Sequence, residues 1–218
     1  MSNVAVILAG CGVYDGSEIN EVVLSLLSLE EQGLNYQCFA PDIDQHHVIN
    51  HLTGAEMPET RNVLAESARI VRGNIKPLSE CNTEHYDALL VPGGFGVAKN
   101  LSDFALSEAA PTIHPEVLDV CQRFKNSKKP AGYLCIAPAA LLAKIYDGVT
   151  CTIGSNANTA ARITALGAHH QNSQVDEVVI DQKNKVVSTA AYMSANNLVE
   201  AKSGIKKLVE ALSEMLEK

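Results

Sequence analysis

Short apolar runs alternate along the chain with segments whose apolar positions recur every three or four residues. Residues 3–9 form such a run and end in Gly10-Cys11-Gly12, as a buried parallel strand and its following loop do. Ile19, Val22, Val23, Leu26 and Leu27 then predict a helix with one apolar face, stopped at Gly33. Residues 36–40 read as a second strand, closed by Pro41. Residues 42–84 are the least regular stretch, with one predicted helix at 59–71 ended by Gly73. This is long for a connection between strands, so it is expected to be an insertion that covers an active site.

The alternation resumes with a strand at 86–91, which runs straight into Pro92-Gly93-Gly94-Phe95-Gly96. A helix at 115–124 turns Val117, Val120, Cys121 and Phe124 inward. A strand at 130–134 is followed at once by a helix at 136–145. Further expectations are a strand at 149–153, a helix at 158–166 and a β-hairpin over 177–180 and 185–189. A final helix at 196–216 has Leu198, Ile205, Leu208, Val209, Leu212 and Leu216 as its buried stripe. Strands alternating with helices imply an α/β fold, a mostly parallel sheet with helices on both faces. In such sheets the ligand crevice lies beyond the carboxyl ends of the strands. A single domain spanning residues 1–218 is expected.

Composition narrows the function. The 218 residues carry a formal net charge of -8, and no group of Lys or Arg is dense enough for a nucleic-acid face. Lys125, Lys128 and Lys129 read as the solvated end of a helix. No apolar run approaches the ~20 residues of a membrane helix, and no secretory signal follows Met1. The expected compartment is the cytoplasm, with no membrane or nucleic-acid partner. The six cysteines lack C-x-x-C spacing or nearby histidine ligands, so neither a metal site nor a disulfide framework is expected.

Three post-strand loops should meet in the crevice. The first contains Cys11 and Gly12 and leads to Glu18; the second contains Gly93, Gly94 and Phe95; the third places Cys135 where a strand turns directly into a helix. A nucleophile on such an elbow is exposed, and the N–H groups of the following helix favour a thiolate. Cys135 is therefore either a reactive thiol or a buried structural one. Glu18, opening the first helix, either reaches across the crevice to share a proton with the sulfur or only complements the helix dipole; Glu21 reads as dipole complement alone. Gly93 and Gly94 offer N–H groups for an oxyanion hole, or form only a tight turn. The phosphate-loop and dinucleotide glycine patterns are both absent. Ile136, not a histidine, directly follows Cys135; the later His169 and His170 read as surface residues at the end of a helix before a loop, and His51, in the insertion, could fold over the crevice.

The elbow Gly132-Tyr-Leu-Cys135-Ile-Ala, the loop Val91-Pro-Gly-Gly-Phe-Gly96 and Glu18 resemble the ThiJ/PfpI-like branch of the class I glutamine amidotransferase-like superfamily. Gly10-Cys-Gly-Val-Tyr-Asp-Gly-Ser-Glu18, Val48-Ile-Asn-His-Leu-Thr-Gly54, Glu59-Thr-Arg-Asn-Val-Leu64 and Ala191-Tyr192-Met193 resemble its ElbB (enhancing lycopene biosynthesis) group. The resemblance implies a flavodoxin-like doubly wound fold, Cys135 as nucleophile, Glu18 as its acid/base partner, and oxyanion N–H groups from Gly94 and Ile136. It adds Tyr192 to the site-lining candidates Cys11, Gly12, Gly93, Phe95 and His51. The implied activity is a glutathione-independent glyoxalase needing no cofactor, which converts methylglyoxal to lactate or glyoxal to glycolate and is linked to isoprenoid biosynthesis. The alternatives are a regulatory or redox-sensing protein that keeps the cysteine elbow, or a deglycase or amidohydrolase-like enzyme. Ile136 stands where amidotransferases carry a histidine, which weighs against amidohydrolysis. A homodimer is expected by analogy.

Overall fold

The computed structural model describes residues 2–107 and 110–217. Its main sheet begins with the interior strand β1 (Asn3–Ile7) and β2 (Asn35–Ala40) beside it in parallel. Between them runs α1 (Ile19–Glu31). Two short strands, β3 (Val48–Ile49) and β4 (Glu56–Met57), form a separate hairpin, followed by α2 (Val63–Ile70) and β5 (Ile75–Pro77). β5 pairs in parallel with β2 as the edge of the main sheet. The stretch at 42–84 is thus only partly an excursion: its second half is a further helix and strand of the winding. Asn62 starts α2 by accepting the Ala65 N–H, so the helix begins at Val63, four residues after the predicted start at Glu59.

The other half of the sheet is built by β6 (Ala88–Val91), α3 (Phe95–Lys99), α4 (Pro115–Asn126) and β7 (Ala131–Leu134). After β7 comes a π-helical turn, Pro138–Leu142, that continues as α5 (Ala143–Ile145). β8 (Thr150–Cys151) is the strand expected at 149–153, shorter than predicted and outside the main sheet. It pairs with β9 (His169–His170) across α6 (Ala157–Ala165), so these two histidines sit in a strand rather than a loop. The hairpin of β10 (Val178–Asp181) and β11 (Val186–Thr189) forms as predicted, and β11 adds in parallel to β7. α7 (Leu198–Leu216) closes the chain, its N-terminus capped by Asn197.

The strand order is β10-β11-β7-β6-β1-β2-β5, with only β10 antiparallel, and helices cover both faces. This is the flavodoxin-like doubly wound arrangement. Two apolar clusters lie on opposite sides of the sheet, one under α4 and one under α1 and α7.

Two surface expectations change. Lys125 and Lys129 are not merely solvated. Lys125 donates to the Ile145 carbonyl at 2.6 Å, and Lys129 donates to the carbonyls of Thr83 and Tyr86 at 2.7 and 2.6 Å, bracing the entry to β6. α1 is also rotated relative to its apolar stripe. Glu21, Val22, Ser25, Ser28 and Leu29 are buried, while Ile19, Val23 and Leu27 are exposed. Among the described residues no helix is long and apolar enough to cross a membrane.

Candidate active site

The loops after β1, β6 and β7 meet above the carboxyl ends of the strands and are tied by backbone hydrogen bonds. Glu18 N–H donates to Gly93 O at 3.0 Å, Phe95 N–H to Val13 O at 2.8 Å, and Gly96 N–H to Gly16 O at 2.8 Å. These contacts explain the glycines. A Cβ on Gly94, whose φ is +101°, would lie 2.3 Å from the Glu18 nitrogen and 2.4 Å from the Gly16 carbonyl oxygen. A Cβ on Gly93 would lie 2.4 Å from Cys135 Cβ, 2.7 Å from Glu21 Oε2 and 2.9 Å from Cys135 Sγ. Only hydrogen atoms fit there.

Cys135 occupies the elbow in a left-handed conformation, φ +60°, uncommon for a residue with a side chain. Its N–H is held by the Thr189 carbonyl of β11 at 3.0 Å. The π-helical turn that follows is a second local irregularity of a kind that accumulates at functional sites. The thiol is buried, and the N–H groups of Gly94 and Ile136 both donate to its sulfur.

The carboxylate that meets this sulfur belongs to Glu21. Glu21 is fully buried and hydrogen-bonded to the thiol. Its Oε2 accepts the Gly93 N–H at 2.9 Å, and its Oε1 accepts the Tyr192 N–H at 3.1 Å. Glu18 does not occupy that position. It is the N-cap of α1, extended in backbone, and accepts the Glu21 N–H at 2.6 Å and the Asn20 side-chain amide at 3.3 Å. The expected roles are exchanged: Glu18 serves the helix terminus and Glu21 faces the thiol. The reason is rotational. Capping by Glu18 starts the helix at Ile19, which turns position 21, with Ser25 and Ser28, toward the sheet and α7.

Electrostatics follow from burial. Desolvation pushes the Glu21 carboxyl up to about 7, against the N–H groups of Tyr192 and Gly93 and the thiol hydrogen bond, which stabilise its charged form. Desolvation also pushes the Cys135 thiol well above its ordinary value, and the Glu21 charge adds to this. The Gly94 and Ile136 N–H groups act the other way. The expectation that the helix terminus lowers the thiol is therefore corrected: two N–H groups are outweighed by burial against a carboxylate. Both carboxylate oxygens already accept backbone N–H groups. The bond between Glu21 and Sγ is consequently the place where one proton is shared.

A cavity of about 330 Å³ opens on the sulfur. Phe95, Gly94, Ile136 and Tyr192 line it, as expected, together with Phe104, Met193, Thr159 and Arg162, which nothing in the local sequence pattern had marked. Gly12 and His51 lie together outside it. His51 Nε2 accepts the Tyr14 N–H at 3.2 Å, sits 3.8 Å from Asp15 Oδ1 and occupies the space a Cβ on Gly12 would need. Cys11 is also absent from the cavity wall; the charges acting on it are Glu66, Arg69, Asp15 and Arg61, on the side of α2. Among the described residues no cluster of three or more His, Cys, Asp or Glu side chains could hold a metal ion.

The model of the DJ-1/PfpI family matches residues 12–201, a span that contains Glu21, Gly93, Gly94 and Cys135. The chain belongs to the DJ-1/PfpI family. Its relatives include a rat protein named ES1 protein homolog, mitochondrial, 44% identical over 98% of this chain and 84% of the rat chain. Human glutamine amidotransferase-like class 1 domain-containing protein 3, mitochondrial, is also 44% identical, over 98% and 83% of the two chains. Among solved structures, an Ehrlichia chaffeensis isoprenoid biosynthesis protein with an amidotransferase-like domain superposes with a TM-score of 0.93 at 38% identity, covering both chains in full. Drosophila melanogaster DJ-1beta, at 17% identity and a TM-score of 0.58, covers 100% of this chain and 95% of its own and shares the DJ-1/PfpI fold. The DJ-1/PfpI family includes enzymes, and its glutamine amidotransferase-like fold is the one described above.

Proposed function

We propose that this chain is a cofactor-independent thiol enzyme of glyoxalase type, acting on small 2-oxoaldehydes. The reading rests on one observation: the buried Glu21 carboxyl is hydrogen-bonded to the Cys135 thiol, and Cys135 lines a small, mostly apolar cavity. With its carboxyl near 7, Glu21 takes up and returns a proton at neutral pH. It removes the thiol proton as Sγ bonds to the aldehyde carbon of methylglyoxal, and the aldehyde oxygen becomes the hydroxyl of a hemithioacetal. The N–H groups of Gly94 and Ile136, beside the sulfur, stabilise the oxygen's developing charge. Glu21 then moves the proton from that carbon to its neighbour through an enediol, leaving a 2-hydroxy thioester. Water cleaves the C–S bond, the thiol regains its proton, and lactate leaves. Water is the only co-reactant, and glyoxal gives glycolate by the same steps.

Conversion of methylglyoxal to lactate without glutathione tests this. Cys135→Ala and Glu21→Gln should each lose turnover by about 10²-fold or more, while Glu18→Gln should retain most of it. Turnover surviving in Cys135→Ala overturns the assignment. The second reading is a redox-sensing or regulatory protein. Burial of the sulfur favours its regulatory, non-catalytic form, because a thiol held in its protonated form reacts slowly with carbonyls and with oxidants alike. Oxidation of Cys135 to the sulfenic acid without aldehyde turnover in the intact protein would decide for that reading. Amidohydrolysis is disfavoured because no histidine lines the cavity among the described residues.

Within the family we place the chain in the ElbB-like group, on its loop motifs, and propose a homodimer in the cytoplasm. The mitochondrial names of the rat and human relatives make localisation of the tagged full-length protein the deciding observation for the compartment. A link to isoprenoid biosynthesis rests on the description of the Ehrlichia protein and is tested by isoprenoid yield in a deletion strain.

A further inference from the structure

Arg162 is the one permanently charged side chain on the wall of the Cys135 cavity among the described residues. It projects from α6 one turn after Thr159, so the hydroxyl and the guanidinium share a helix face. The guanidinium stacks over the Phe104 ring, 3.7 Å from its centroid. One terminal nitrogen, Nη2, donates to the carbonyls of Phe104 and Ser107. Those acceptors are neutral, and no carboxylate pairs with Arg162 among the described residues. Its Nε is buried without a hydrogen-bond partner. The guanidinium is half-buried, and among the described residues only carbonyl dipoles and the Phe104 ring balance its charge, so a bound anion completes its neutralisation.

We propose that Arg162 receives a carboxylate of the substrate. The substrates are then short aldehydes or 2-oxoaldehydes carrying a carboxylate at the end remote from the carbon that Sγ attacks. This rests on the reading of Cys135 as the reacting thiol and adds the substrate class. Three features point to it. Stacking and two carbonyl bonds hold the guanidinium plane in place, which suits planar recognition of a carboxylate. The neighbouring walls, Phe95, Phe104, Ile136 and Met193, are apolar and strengthen a charge contact. A cavity of about 330 Å³ is near the lower end for small-ligand sites and suits a short molecule.

Alkylation of Cys135 by iodoacetate and by iodoacetamide, which differ in charge but little in size, tests the inference without requiring turnover. The rates at Cys135 are read by mass spectrometry in the parent protein, Arg162→Met and Arg162→Lys. The iodoacetate-to-iodoacetamide ratio should fall about tenfold in the Met variant and stay within about threefold in the Lys variant, which keeps the charge. A loosened loop in either variant would change both rates together and leave the ratio unmoved. In the parent protein, glyoxylate should also protect Cys135 at a lower concentration than glyoxal does. An unchanged ratio in Arg162→Met overturns the inference, as does failure of both reagents to reach Cys135. Selective alkylation without methylglyoxal turnover would instead sink only the glyoxalase reading.

Discussion

Replacing Glu21 by glutamine removes a buried titrating group and leaves a calculable signature in the pH dependence of stability. The carboxyl is pushed from 4.5 to about 7 in the folded protein, chiefly by burial. A folded-state value above the unfolded one means that the folded chain holds the proton longer as pH rises. Stability from this group is therefore fully present below about 4.5 and is lost as pH climbs through about 7. At about 1.4 kcal/mol per pH unit, the loss amounts to about 3 kcal/mol. For a chain of this size that corresponds to about 6–12 °C in Tm. Glutamine removes this dependence and adds a constant penalty. Both oxygens of Glu21 accept backbone N–H groups, from Gly93 and Tyr192, so an amide NH2 must oppose one of them. That mismatch costs about 1–3 kcal/mol at any pH. Glu21→Gln should thus melt below the parent at pH 5 and draw level with it or pass it at pH 8.5. Thermal unfolding of the reduced proteins across that range measures the difference directly. Parallel curves over the whole range would refute the placement of the raised carboxyl at position 21.

Other expectations follow from contacts already described. Gly93→Ala drives a Cβ into Cys135 and Glu21; it should abolish iodoacetamide labelling of Cys135 in its native pace and cost about 1–3 kcal/mol in urea denaturation, whereas a wild-type midpoint would contradict the packing. Lys129→Met leaves the Thr83 and Tyr86 carbonyls without their donor and should lower stability by about 1–3 kcal/mol; a change within about 0.5 kcal/mol would show that the contact is solvated. The exposed Ile19, Val23 and Leu27 stripe is the surface on which the proposed homodimer is expected to form. Val23→Glu should shift sedimentation from dimer to monomer, and a parent protein that sediments as a monomer at every concentration would remove the homodimer from the proposal.

Much of the architecture was legible because each element carries its own signal. Apolar strands ending in glycine loops, helices stopped at Gly33 and Gly73, and the hairpin before the last helix all appear where the pattern puts them. The same local logic fails where an element is buried by something distant. β8 has the composition of a core strand, yet pairs with His169–His170 outside the main sheet. Lys129 is one of three closely spaced lysines, and only the return of the chain at Thr83–Tyr86 gives it acceptors. Arg162 carries no motif at all; it becomes notable because Phe104 and Ser107 come to meet it from 55 to 58 residues away.

By itself the sequence determined the winding of the sheet and the position of Cys135, since a strand that turns into a helix without a loop puts its corner residue above the sheet edge whatever packs nearby. It also located the three loops whose glycines let backbone approach the sulfur. Only the tertiary structure decided which carboxylate joins that thiol. Periodicity reports that α1 has an apolar stripe, but not which stripe is covered. The packing of α1 against α7 and the sheet buries Ser25, Ser28 and Glu21 and leaves Ile19, Val23 and Leu27 outside. Glu21 is held there by Gly93 and Tyr192, far apart along the chain, and its raised proton affinity comes from burial that no window of sequence contains.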